Sequence, residues 1–298
     1  MQQRSLFDQA NLLRIELHER LAAFQLAEGL EIWAKLGDSF DVPQNFQEKL
    51  YALKKLKNQV DSLKDNDLGA WGNYYIRLGA QDFMRVLQAE SKFIFPGLAG
   101  EIERRLPPGF SGYLVPGLHT AELFLETGRF EIALQQVFAH LTNTGEDALL
   151  RQVQSYILNE MGDGRAALGP LAYALFNNPL LCRERYLWGS DLIREWNSLR
   201  EHEDLEKAWI ELPFILWKKG VLPVSGGADS FFAYLMAEVF PENEPRGNPV
   251  LSEESFLRLL YLAETSRERD ADWEKIVSIR RAMKTINASK FAEYMALI

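Results

Sequence analysis

A chain of 298 residues, 47% hydrophobic and 25% charged, is ordinary globular material, long enough for two domains or one extended solenoid with its own core. Its 33 Lys and Arg against 42 Asp and Glu leave a net charge of −9, which excludes nucleic acid and an acidic membrane surface as favoured partners. The single Cys182 excludes an intramolecular disulfide and a multi-cysteine zinc site, as suits a reducing compartment, and the cytoplasm is the expected location.

The N-terminal stretch MQQRSLFDQANLLRIELHERL scatters charges through its apolar residues, unlike a secretory signal. No run elsewhere approaches the roughly 18 apolar residues of a membrane span. With 11 Val and 6 Thr in the whole chain, and no alternating stretch of strand length, the fold class is expected to be all-α.

From about Leu6 to Leu36, Leu13, Leu17, Leu21, Phe24, Leu30 and Trp33 recur at helical spacing, predicting one long helix bent at Gly29. A second helix is expected from about Gln44 to Leu63, antiparallel to the first, and a third from about Asn73 to Ser91. Between Phe95 and Gly117, Pro96, Pro107, Pro108 and Pro116 should break any long helix and mark a boundary. A second breaker-rich stretch runs from Lys219 to Pro249. Three closing helices are then predicted at about 253–265, 272–286 and 289–297. The expected organisation is an N-terminal helical hairpin region (1–110), a repeat section (111–220) and a closing section (221–298).

The middle section repeats itself. Gly128, Ala133 and Leu134 recur 34 residues later as Gly162, Ala167 and Leu168, while Phe124 and Leu158, and Glu126 and Glu160, keep the same offset. Gly closes a first helix, and Ala on the second lets a neighbour approach. With Ala121, Ala174 and Pro179, residues 114–181 resemble two tetratricopeptide units, a helix-turn-helix repeat of this length. Leu205, Ala208, Leu212 and Ile215 suggest a degenerate third unit reaching to about 220, with the period stretched to 41 residues. The departures are Gly117 in place of a bulky aromatic, His140 in place of Ala, Gly145 in place of Pro, and Arg151 and Ser155 in the second unit's first helix.

The resemblance implies helical hairpins stacked as a right-handed solenoid, an α-α superhelix whose first helices line a concave groove. The groove positions would be Leu118, Glu122, Leu125 and Glu126, then Gln152, Tyr156, Asn159 and Glu160. This set is acidic with one aromatic, unlike the family's carboxylate clamp, so the expected ligand is a basic or mixed peptide or helix. The expected role is a non-catalytic scaffold without cofactor, and the N-terminal helices are the candidate surface for a homo-oligomer.

Catalytic signals are weak beside their structural readings. His18, His119, His140 and His202 lack the Glu-x-x-His spacing of a di-iron bundle, and His202-Glu203 lacks the second His of a zinc-protease helix. Metal chemistry is therefore not expected. Cys182 reads as a buried thiol, 201–206 as a solvated helix start, and Trp188, Trp196, Trp209 and Trp217 as core or interface. VSGGADS at 224–230 resembles the phosphate loop of ATP pyrophosphatases through Ser225, Gly226, Gly227, Asp229 and Ser230. An adenylating or ATP-pyrophosphatase activity is thus the alternative function, although the family places this loop after a parallel strand and Pro223 interrupts any strand here.

Overall fold

A computed structural model describes residues 2–37, 45–224, 252–268 and 273–298, with no account of side chains at 2–8, Glu268 and Lys275. The described residues are overwhelmingly helical, so the chain is all-α with one small strand pair. The fold divides into two compact units, 1–139 and 140–298, and the division falls within the helix Phe130–Thr144.

In the first unit the expected long N-terminal helix is two: α1 (Gln2–Ala22) and α2 (Leu26–Gly37). The chain turns at Phe24, whose φ of 58° is left-handed, and not at Gly29. Gly29 instead lies inside α2, where a Cβ would meet Leu21 and Leu17, so its use is close packing. α3 (Phe46–Asp61) forms where the second stripe was expected and buries Ala52, Leu53 and Leu56.

The predicted third helix is cut into α4 (Leu68–Leu78) and α5 (Asp82–Val86), and α6 (Gln88–Arg105) runs through Pro96. Proline forfeits one helical hydrogen bond. The helix survives because the next residue, Gly97, presses against the end of α1 and Ile94, Leu98 and Ile102 are fully buried.

The unexpected strands are β1 (Tyr113–Val115) and β2 (Leu118–His119), paired antiparallel around Pro116-Gly117. Gly117 has φ 86°, which a tight turn requires and an L side chain resists. That turn explains the glycine found where an aromatic repeat residue was expected. The core of this unit gathers Leu17, Leu21, Trp33, Leu56, Trp71 and Leu98 with their neighbours.

Next come α7 (Thr120–Glu126) and α8 (Phe130–Thr144), which carries the division between the units. The second unit continues with α9 (Ala148–Glu160), α10 (Gly164–Asn177), two 3-10 turns at Pro179–Leu181 and Glu184–Tyr186, α11 (Ser190–His202) and α12 (Leu205–Lys218). Asp147, Asp163 and Asp204 cap α9, α10 and α12 by accepting from the amides of Leu150, Ala166 and Lys207. The closing helices are α13 (Glu253–Glu268), α14 (Trp273–Ile286) and α15 (Ala288–Leu297), close to their expected bounds. Their core joins Phe176, Trp196, Leu212, Phe256, Leu260 and Tyr294. No described helix is long and apolar enough to cross a membrane.

Candidate functional site

The 34-residue echo has a geometric counterpart in how two helices end. At the end of α7, Thr127 N–H donates to Leu123 O, Gly128 N–H to Leu125 O and Arg129 N–H to Phe124 O. At the end of α9, Met161, Gly162 and Asp163 donate to Ile157, Asn159 and Leu158 in the same pattern. Gly128 and Gly162 hold φ of 73° and 87°, so glycine relieves the strain of the turn at both. α8, α10 and α12 then begin at Phe130, Gly164 and Leu205, and each carries a fully buried alanine three positions on: Ala133, Ala167 and Ala208 are all 0% exposed.

The residues expected on a concave groove are placed unequally. Leu118 is buried on β2 rather than on a first helix. Glu122 is 1% exposed and accepts from the His119 amide at 3.1 Å, while His119 Nδ1 accepts from the Ala121 amide at 3.1 Å. This reciprocal cap starts α7 and fixes both side chains inward. Leu125 and Glu126 are half-buried, and Glu126 accepts from Tyr75 OH at 3.3 Å.

Gln152 is fully buried, with both side-chain polar atoms on the Arg183 backbone. Tyr156 is half-buried against Tyr186, ring centroids 5.5 Å apart, and Trp188 Nε1 donates to Ser155 Oγ at 2.7 Å. Asn159 is half-buried and Glu160 exposed. Leu118, Glu122 and Gln152 are thus internal, and the quartets 118–126 and 152–160 belong to different compact units.

Residues 178–189 act as a strap across α9. Gln152, Ser155 and Tyr156, at i, i+3 and i+4 on one helix face, hold Arg183, Trp188 and Tyr186 respectively. Sequence reasoning assigned Gln152 and Tyr156 to a ligand and missed that the chain's own Arg-Glu-Arg-Tyr segment lies there. Ser155, noted only as a departure from the repeat, was the available signal: a small hydroxyl at a packing position supplies an acceptor.

Cys182, within the strap, is buried, and burial pushes its thiol above the ordinary range, which favours the neutral thiol over the thiolate. His202 Nδ1 lies 2.9 Å from Ser198 O, and His18 stacks on Phe93 at 4.2 Å. Among the described residues no group of His, Cys, Asp or Glu could hold a metal ion. Ser225, Gly226, Gly227, Asp229 and Ser230 lie outside the described residues. Trp196 and Trp209 are buried, their ring centroids 4.2 Å apart. The chain matches no protein-family model, no curated protein and no solved structure in these comparisons.

Proposed function

We propose that the chain is a non-catalytic scaffold built from tetratricopeptide-like hairpins, and that α9 holds an extended basic or mixed peptide. One observation carries this reading: α9 already holds a segment of its own chain, Arg183 at the head of the 3-10 turn Glu184–Tyr186, through the Gln152 amide, which bonds both backbone groups of the extended Arg183. Backbone contact supplies affinity that tolerates sequence change, and flanking side chains supply preference. The exposed carboxylate of Glu160 and the half-buried Tyr156 and Asn159 continue the face beyond Gln152. A ligand binds there, beside the strap, with its cations toward Glu160. The matching turns after Gly128 and Gly162 and the buried Ala133 and Ala167 support the repeat assignment.

The test uses an array of extended peptides in which Arg or Lys alternates with an aromatic residue, with acidic counterparts as controls. Wild type is expected to retain the basic set, and Glu160→Lys and Asn159→Ala to lose it. Equal retention by wild type and Glu160→Lys, or no preference for basic over acidic peptides, overturns the reading.

A further inference from the structure

We draw no further inference here: the strongest candidate, the side-chain cluster of His18 on α1, Lys49 on α3 and Glu90 on α6, in which Glu90 Oε2 is buried with no hydrogen-bond partner among the described residues, rests on the titration of His18 alone, and nothing in the structure shows what would reach that oxygen.

Discussion

Gln152 engages both backbone groups of Arg183: its Oε1 accepts from the amide at 2.7 Å and its Nε2 donates to the carbonyl at 2.9 Å. The side-chain amide does for the strap what a neighbouring strand does in a sheet. Gln152→Ala removes both bonds and strands two buried backbone groups, which should cost about 2–4 kcal/mol. Gln152→Glu keeps the shape but turns the donor into a second acceptor facing a carbonyl, and should cost at least as much. Urea denaturation measures both, and amide exchange at Arg183 should accelerate in each.

A methyl group at Gly97 has nowhere to go. Its Cβ would lie 2.4 Å from the Leu21 carbonyl oxygen, 3.0 Å from that of Ala22 and 3.2 Å from the Phe24 amide nitrogen. These are backbone atoms and cannot rotate aside. Gly97→Ala should therefore destabilise the chain by about 3 kcal/mol, outweighing the roughly 1 kcal/mol that alanine gains in a helix. Gly100, in the same helix, would meet only Thr127 Cγ2 at 3.9 Å, an ordinary contact, so Gly100→Ala should be neutral or stabilising by up to about 1 kcal/mol. Thermal melts of the two variants should shift in opposite directions.

Lys290 fastens α15 to the rest of its unit. Its Nζ donates to Glu211 Oε1 and Glu253 Oε2, each at 2.8 Å, and the side chain is 12% exposed. Burial alone would lower its pKa, but the two carboxylates outweigh it and raise the value above 10.5. The tie is thus complete below 10.5 and is lost as pH rises through the higher folded value. Lys290→Met should cost about 1–2 kcal/mol at neutral pH, modest because Glu253 is partly exposed, and should flatten the alkaline limb of a stability profile.

His18 acts on the acid side. Burial against Phe93 lowers its pKa; Glu90 pulls it up, and Lys92 and Lys49 push it further down. The unfolded chain then binds the proton first as pH falls below 6.5, so folding is progressively disfavoured from there down to the lower folded value. His18→Phe retains a ring on Phe93 and cannot be protonated. Its denaturation midpoint should change less than that of wild type over this interval.

The helices that the sequence disclosed best are those whose stripes agree with their punctuation. α3, α14 and α15 have clean apolar faces and capping or breaking residues at their ends, and they lie near their expected bounds. α6 was hidden because Pro96 reads as a breaker, and only packing at Gly97 and Ile94 explains why the helix continues. The break at Phe24 was hidden for the converse reason: an aromatic in a left-handed turn has no local signature, while Gly29 offered a false one. At the site, Tyr156 and Glu160 were legible as residues of a first helix. The inward turn of Glu122 depended on His119 serving as a cap, and that of Gln152 on a partner 31 residues away.

The strap also accounts for the interval that lengthens from 34 to 41 residues between the starts of α10 and α12. Only 145–147 separate α8 from α9, whereas 178–189 separate α10 from α11, and the longer joint, with its two 3-10 turns, is fastened to side chains of α9. Such a joint can change length without disturbing the hairpins on either side. A ruler of fixed spacing laid along this chain would lose its place there, although α12, the second helix of the next hairpin, begins with the same kind of aspartate cap and the same buried alanine as α10.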